Sequence, residues 1–184
     1  MPSLVELNNK HTDKNTIHSY LTVYDELFNK KKDSATHVLE VGIHSGGSLL
    51  LWKNYFKNAT IYGIDIIDKT HILEELKNDN NIVLHTQTNA YDSNFVNKAF
   101  EDVKFDIVLD DGPHTLQSMI DFIILYSPLL KDNGILIIED VQDITWLNTL
   151  IENTPEHLKK CIKTYDRRSV KGRYDDIIFV IDLQ

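Results

Sequence analysis

The segment at residues 38–48 reads VLEVGIHSGGS, and it decides the fold. Its first four residues form a short apolar run broken by one acid, Glu40, which is typical of a strand buried on both faces of a parallel sheet. The glycines that follow, Gly42, Gly46 and Gly47, predict a tight turn that opens a helix, because glycine adopts backbone conformations closed to other residues. We therefore expect a strand, a glycine-rich turn and a helix in succession.

The rest of the chain repeats this pattern. Short β-branched runs alternate with amphipathic stretches, which predicts an α/β fold built from βαβ units. The predicted strands are residues 36–41, 60–67, 81–88, 105–111, 134–140, 160–165 and 176–183. The predicted helices between them are residues 47–56, 70–77, 92–103 and 115–130. No helix is predicted between the last two strands, so we expect them to form an antiparallel hairpin at the end of a mostly parallel, seven-stranded sheet.

This arrangement differs from the plain doubly wound dinucleotide fold and is similar to the Rossmann-like sheet of class I S-adenosylmethionine-dependent methyltransferases. At 184 residues the chain is long enough for one core, so we expect a single domain over residues 1–184. Residues 1–32 would be an N-terminal helical segment and residues 33–184 the Rossmann-like core. Apolar and aromatic residues at helical spacing predict a helix over residues 15–30 that lies across the sheet or the mouth of a pocket.

Composition and charge exclude several classes of function. The net charge is -9, from 19 basic and 28 acidic side chains, which argues against a nucleic-acid partner. No apolar run approaches the roughly 18 residues of a membrane span, so no membrane partner is expected. The single cysteine, Cys161, excludes an intrachain disulfide and a thiolate metal cluster. Because the first residues also lack the pattern of a secretory signal, we expect a cytoplasmic protein.

Two acidic clusters follow two of the predicted strands. Residues 110–114 read DDGPH and residues 139–140 read ED. Because the carboxyl ends of parallel strands meet at one edge of a sheet, we expect these side chains to converge there. Carboxylates at close range repel one another unless a cation joins them, and a hard divalent cation with oxygen ligands is the simplest candidate, with His114 beside it as a candidate base. The alternative is that the first cluster is only a turn and the second a helix cap.

Further polar residues mark a binding pocket at the same edge. Glu40 lies inside an apolar strand, which is costly unless the carboxylate is paired, so it should serve a cationic or polar group. A cofactor can approach the backbone of the turn at residues 42–48, whose spacing differs from the dinucleotide fingerprint. Asp65 ends the second strand, about 20 residues past the turn, where an acid can accept both ribose hydroxyls. Asn89 would lie at the adenine edge, although a plain turn asparagine explains it equally well.

With these motifs in order, the chain resembles the metal-dependent sugar O-methyltransferases of the macrocin and mycinamicin type. It is also similar to the cephalosporin hydroxylase and rhamnosyl O-methyltransferase group. The resemblance runs from about residues 12–14 to residues 139–143 and covers most of the chain. It implies S-adenosyl-L-methionine as the methyl donor and Mg²⁺ as the cation.

The resemblance also implies roles for individual residues. The Mg²⁺ ligands would be Asp111, Glu139 and Asp140, and the catalytic residues would be His114, as the general base, and Asp111. The cofactor-binding residues would be Glu40, Gly42, Gly46, Ser48, Asp65, Asn89 and Asp110.

The expected reaction is therefore metal-assisted methylation of a hydroxyl on a sugar or a glycosylated small molecule. A homo-oligomer is compatible with the resemblance. Three alternatives remain open: a catechol-type O-methyltransferase, a cofactor-binding partner protein that catalyses nothing itself, and a nicotinamide-dependent dehydrogenase. The spacing of the glycine turn and the terminal hairpin disfavour the dehydrogenase.

Overall fold

Seven strands form one sheet in the computed structural model of the protein, which describes residues 2–184. They are β1 (His37–Val41), β2 (Thr60–Ile64), β3 (Ile82–His85), β4 (Phe105–Asp110), β5 (Leu130–Ile138), β6 (Ile162–Asp166) and β7 (Ile177–Asp182). Their order across the sheet is β3-β2-β1-β4-β5-β7-β6. The first five strands pair in parallel, and β7 pairs antiparallel with both β5 and β6. The predicted mostly parallel sheet with an antiparallel C-terminal pair is confirmed.

The α-helices of the described residues are α1 (Leu4–Leu7), α2 (Leu21–Phe28), α3 (Gly47–Tyr55), α4 (Glu74–Lys77), α5 (Ser93–Ala99), α6 (Leu116–Tyr126), α7 (Trp146–Asn153) and α8 (Arg168–Lys171). None of these helices is both long and apolar enough to cross a bilayer. The connection between β6 and β7 was predicted to lack a helix, which is wrong, because α8 lies within it and ends at the left-handed Gly172.

The core has two layers, one on each face of the sheet. Val38 and Ile107 lie in the layer built with α2 and α3, which contains the large buried ring of Trp52. Leu39 and Val108, one residue further along the same strands, lie in the opposite layer with α5, α6 and α7. Neighbouring strand residues point to opposite faces, so a strand covered on both sides is apolar at every position. This explains the continuous apolar runs in the sequence.

The ends of the parallel strands are aligned by backbone hydrogen bonds that continue beyond them. The N–H of Gly42 donates to the carbonyl of Ile64 at 2.9 Å, and the N–H of Asp111 donates to the carbonyl of Val41 at 2.9 Å. The N–H of Glu139 donates to the carbonyl of Asp110 at 3.0 Å. The glycine turn and both acidic clusters therefore lie side by side at one edge of the sheet, as predicted.

The N-terminal segment, defined here as residues 8–20, is irregular rather than helical. The prediction of a helix over residues 15–30 is wrong in its first part, because the carbonyl of Asp13 accepts three N–H groups, those of residues 16–18, each at 3.0 Å. The segment packs against the start of α3, where a Cβ added to Gly47 would lie 2.0 Å from the carbonyl oxygen of His11. This close approach brings the segment to the same edge of the sheet as the acidic clusters.

Candidate active site

A cleft of about 800 Å³ lies at the carboxyl edge of the parallel strands. Its walls are the glycine turn after β1, residues 64–67 at the end of β2, residues 88–91 after β3 and residues 111–114 after β4, and part of the N-terminal segment covers one side. Clefts that hold cofactors and drug-sized ligands are usually about 300–1,000 Å³. The size of this cleft therefore suits a small organic cofactor.

The glycine turn forms the floor of the cleft at Gly42. Its φ is +91°, and an added Cβ would lie 1.9 Å from the carbonyl oxygen of Asp111, so only glycine fits there. Gly46 also has a left-handed φ, +90°, but its Cα faces Leu76 rather than the cleft. Ser48 lines the cleft with Gly42. Of these three predicted cofactor-binding residues, Gly42 and Ser48 line the cleft, whereas Gly46 shapes the turn and packs against Leu76.

Asp65 and Asn89 lie in the wall of the cleft, as predicted. The Oδ2 atom of Asp65 accepts the backbone N–H groups of Ile43 at 2.7 Å and His44 at 2.9 Å, so this acid also holds the glycine turn. Asn89 is exposed, and its Oδ1 accepts the N–H of Tyr91 at 3.0 Å, which is the bond of an asparagine turn. Both residues thus have a local structural role besides their position in the cleft.

Glu40 lies beneath the cleft and is fully buried. Its Oε2 accepts the hydroxyl of Ser48 at 2.6 Å and the indole N–H of Trp52 at 2.9 Å. Its Oε1 has no hydrogen-bond partner among residues 2–184, although the Lys14 ammonium lies 3.3 Å away. Burial raises the pKa of the Glu40 carboxyl.

Asp110 is also buried, at the end of β4. The Tyr91 hydroxyl donates to its Oδ1 at 2.6 Å. Burial raises the pKa of Asp110 to about 7, although the bond from Tyr91 opposes the shift. The side chain lies under the cleft wall rather than in the cleft, so any contact with a cofactor would pass through Tyr91 or the backbone.

Three potential ligand atoms face one another beside the cleft, and we call this group the open corner. The Nε2 of His114 lies 3.7 Å from Oδ1 of Asp111 and 3.6 Å from Oδ2 of Asp140. These three residues each offer one atom, and all three atoms lie within 4.8 Å of one another. His114 and Asp140 have left-handed φ values of +53° and +52°. Such strained conformations in non-glycine residues cluster at functional sites.

The remaining oxygens of the two acids are anchored. Oδ2 of Asp111 accepts the Lys14 ammonium at 2.6 Å. Oδ1 of Asp140 accepts the Tyr20 hydroxyl, and Nδ1 of His18 lies 3.2 Å from the same oxygen. Each carboxylate therefore keeps one oxygen for the fold and turns the other towards the open corner.

Glu139 was predicted to bind the metal together with Asp111 and Asp140, but it is not part of the open corner. Both of its carboxylate oxygens are engaged, Oε2 with the Lys14 ammonium at 2.5 Å and Oε1 with the Tyr24 hydroxyl. The structure brings His114 together with Asp111 and Asp140, and Glu139 lies behind them with 1% of its side chain exposed. Burial raises the pKa of Glu139 well above its ordinary value, and the neighbouring acids add to this.

Negative charge exceeds positive charge at this edge of the sheet. Glu40, Asp111 and Glu139 surround one ammonium, that of Lys14, and Asp140 lies close to Asp111. Burial alone would lower the pKa of Lys14, but the carboxylates outweigh burial and hold this pKa well above its ordinary value. Burial raises the pKa of Asp140 as well. A cluster of this composition favours an added proton or an added cation.

Sequence reasoning did not assign a role in the site to the polar groups of the N-terminal segment or to Tyr24. Tyr20 and Tyr24 occupy helical spacing among apolar residues, so the pattern indicates only a packed helix face. Lys14 and His18 interrupt that region with buried polar side chains. A lysine and a histidine next to an apolar run were the available signal, but nothing in the sequence pairs them with acids more than ninety residues away.

Comparison with known proteins adds to this geometry. A family described as "Methyltransferase domain" matches residues 39–141, which include the glycine turn, Asp65 and both acidic clusters. The chain belongs to this methyltransferase family. The methyltransferase resemblance predicted from the motifs is confirmed.

Curated relatives of this chain are named as O-methyltransferases, and one of the names contains a rhamnosyl group. The chain is 31% identical over 154 residues to 8-demethyl-8-alpha-L-rhamnosyl tetracenomycin-C 2'-O-methyltransferase of Streptomyces olivaceus, covering 79% of this chain and 39% of that protein. It is 32% identical over 155 residues to mycinamicin VI 2''-O-methyltransferase of Micromonospora griseorubida, covering 79% and 37%. The chain therefore spans well under half the length of these relatives.

A solved structure of the same type shares the fold. It is the MycE methyltransferase from the mycinamycin biosynthetic pathway, in complex with Mg, S-adenosylhomocysteine and mycinamycin VI. The TM-score is 0.75 at 25% sequence identity, and the alignment covers 98% of this chain and 54% of that one. The predicted Rossmann-like methyltransferase fold is thus confirmed over nearly the whole length of the chain.

Proposed function

We propose that this methyltransferase transfers the methyl group of S-adenosyl-L-methionine to a hydroxyl of a sugar or a glycosylated small molecule, with the help of a divalent cation such as Mg²⁺. The observation that carries the proposal is the open corner, where atoms of Asp111, His114 and Asp140 converge beside the cleft. The names of the curated relatives support the class of acceptor.

The residues of the cleft fit the methyl donor. Gly42 lets a ligand approach the backbone closely, and Asp65 offers carboxylate oxygens about where ribose hydroxyls bind in related folds. The Oε1 atom of Glu40, buried beneath the floor, has the Lys14 ammonium 3.3 Å away but no hydrogen-bond partner in residues 2–184, so it retains acceptor capacity for a polar group of the ligand. S-adenosyl-L-methionine supplies an electrophilic methyl group on a sulfonium, and the acidic cluster lowers the cost of placing that positive charge here.

The open corner fits a hard divalent cation. Asp111 and Asp140 each present one oxygen, and Glu139 lies next to them as the third acid of the predicted metal set. A divalent cation takes few carboxylates, keeps open positions for other oxygens and lowers the pKa of a bound hydroxyl. Glu139 joins such a set only if one of its oxygens leaves Lys14 or Tyr24, so the first ligands are Asp111 and Asp140.

The side chains then divide the chemistry between them. Methyl transfer is a direct displacement, so the acceptor oxygen must lie in line with the methyl group and must lose its proton. Asp111 and Asp140 would hold the cation, which would supply orientation and a lower pKa to the acceptor hydroxyl. His114 takes the proton at Nε2. The anchoring of both carboxylates by Tyr20, His18 and Lys14 keeps this arrangement rigid.

Acceptor profiling tests the proposal. The purified protein is incubated with S-adenosyl-L-methionine and a panel of rhamnosides, other glycosides and catechols, in Mg²⁺ or in EDTA. We expect methylation of glycosides that requires the cation. Transfer to catechols alone would favour the catechol alternative, and tight binding of S-adenosylhomocysteine without transfer to any acceptor would favour a non-catalytic binding protein.

Two variants test the roles of the open corner. Asp111→Ala should abolish cation-dependent transfer and leave the affinity for S-adenosylhomocysteine near normal, whereas Asp132→Ala, at an exposed acid outside the cleft, should change neither. His114→Ala should lower the rate and flatten its pH profile, with the exposed His157→Ala as the control. An unchanged pH profile in His114→Ala would remove His114 as the base.

A further inference from the structure

Lys14 lies inside the acidic cluster, and only 1% of its side chain is exposed. Its Nζ is 2.6 Å from Oδ2 of Asp111, 2.5 Å from Oε2 of Glu139 and 3.3 Å from Oε1 of Glu40. These acids follow or belong to β4, β5 and β1, which are neighbours in the sheet. One ammonium therefore connects three adjacent strand ends.

The contacts of Lys14 leave the open corner free. Lys14 holds Oδ2 of Asp111, and the other oxygen of that carboxylate, Oδ1, faces His114. A ligand carboxylate that is hydrogen-bonded through one oxygen keeps the direction of the other, which is how groups behind a metal ligand orient it. Lys14 also holds Glu139, whose second oxygen is held by Tyr24.

Simple packing does not explain this geometry. Lys31 provides a comparison, because it is also buried, with 3% of its side chain exposed, but its Nζ lies 3.8 Å from one carboxylate, that of Asp106, outside the cleft. Lysine is rarely buried unless it is paired. One acid suffices to pair Lys31, whereas Lys14 lies among three acids of the site.

We propose that Lys14 is a positioning residue that fixes Asp111 and Glu139 and acts as the resident counter-charge of the acidic cluster when no divalent cation is bound. This inference rests on the proposed function, because it assumes that a divalent cation binds at the open corner. It concerns the binding and stability of the protein, so its test does not require methyl transfer.

The test compares thermal unfolding in EDTA and in Mg²⁺ for the unaltered protein, Lys14→Met and Lys31→Met. Both variants should unfold at a lower temperature than the unaltered protein in EDTA, because each loses a buried ion pair. Loss of the Lys14 charge removes the repulsion between its ammonium and a dication at the open corner. We expect this gain to outweigh the loss of orientation at Asp111, so that Mg²⁺ binds about tenfold more tightly. Tighter binding raises the unfolding temperature further in Mg²⁺.

The increase in unfolding temperature caused by Mg²⁺ should therefore be larger in Lys14→Met than in the unaltered protein, and unchanged in Lys31→Met. An equal or smaller increase in Lys14→Met than in the unaltered protein would overturn the assignment of Lys14 as a counter-charge. If the unaltered protein methylates no acceptor but Lys14→Met still shows the larger increase, the proposed function fails and this inference stands.

A second variant keeps the test decisive if Lys14→Met does not fold. In Lys14→Met/Glu139→Gln the second change removes one of the carboxylates left without a counter-charge. We expect the double variant to regain cooperative unfolding and to lose the enlarged response to Mg²⁺. Failure of the double variant to fold would overturn the assignment of Lys14 as a counter-charge.

Discussion

Replacement of Gly42 by alanine should damage both the stability of the protein and its cofactor site. The added Cβ would lie 1.9 Å from the carbonyl oxygen of Asp111, whereas ordinary contacts begin at 3.4 Å, so the two strand ends would have to separate by about 1.5 Å. Overpacking of this kind costs about 1–3 kcal/mol. The left-handed φ of +91° adds about 1–2 kcal/mol for a residue with a Cβ.

The expected loss for Gly42→Ala is therefore about 2–5 kcal/mol in the free energy of unfolding. Gly172→Ala is the matched control, because Gly172 also has a left-handed φ, +74°, but an added Cβ there meets nothing within 4 Å. The control should lose only the conformational part, about 1–2 kcal/mol. In a chain of this size each kcal/mol lowers the unfolding temperature by about 2–4 °C.

Urea and thermal unfolding measure the loss in each variant, and calorimetry measures the affinity for S-adenosylhomocysteine. We expect Gly42→Ala to weaken that affinity by about tenfold or more, because the floor of the cleft moves with the backbone of Asp111. Gly172→Ala should bind as the unaltered protein does. If the two variants unfold alike and bind alike, the close approach of the strand ends does not constrain position 42, and the reasoning is refuted.

Two further predictions concern Asp106 and Asp65. Burial alone would raise the pKa of Asp106, but Lys131 and the backbone N–H groups of Thr36 and His37 outweigh burial and lower this pKa. The ionised carboxylate therefore stabilises the fold at pH values above its ordinary pKa of 3.8. This stabilisation is lost as the pH falls through the lower pKa of the folded state. Asp106→Asn should therefore lower the free energy of unfolding at neutral pH by about 1–3 kcal/mol and make this free energy less dependent on pH in acid. Urea unfolding at several pH values measures both effects, and an equal pH dependence of the two proteins would contradict the prediction. Asp65→Asn should weaken the binding of S-adenosylhomocysteine by about tenfold in calorimetry, and an unchanged dissociation constant would remove Asp65 as a ribose ligand.

Much of the fold follows from local pattern. Strands such as β4, apolar along nearly their whole length, can be recognised because both faces of a parallel sheet are covered by helices. The limits of local pattern show in the segment ahead of α2, where Tyr20 continues the helical spacing and yet the backbone turns around the carbonyl of Asp13 instead. The Tyr20 hydroxyl there donates to Asp140, and the His18 ring is hydrogen-bonded to Asp176. Sequence periodicity cannot report such contacts.

The open corner could be predicted in part for a similar reason. Asp111, His114 and Asp140 come directly after strands whose ends must meet, so position along the chain is enough to bring them together. The role of Lys14 and the engagement of both oxygens of Glu139 could not be predicted, since the two residues are 125 positions apart. No periodicity or spacing connects residues so distant, and a lone lysine ahead of a helix ordinarily indicates a solvated side chain.

The distance along the chain between Lys14 and its partners also has a consequence for biosynthesis. Lys14 is synthesised long before β5, so its ion pair with Glu139 cannot form until the fifth strand has joined the sheet. Contacts of such long range are among the last to form in folding. The acidic cluster therefore acquires its resident counter-charge from Lys14 only late in folding, once the ends of β4 and β5 lie side by side.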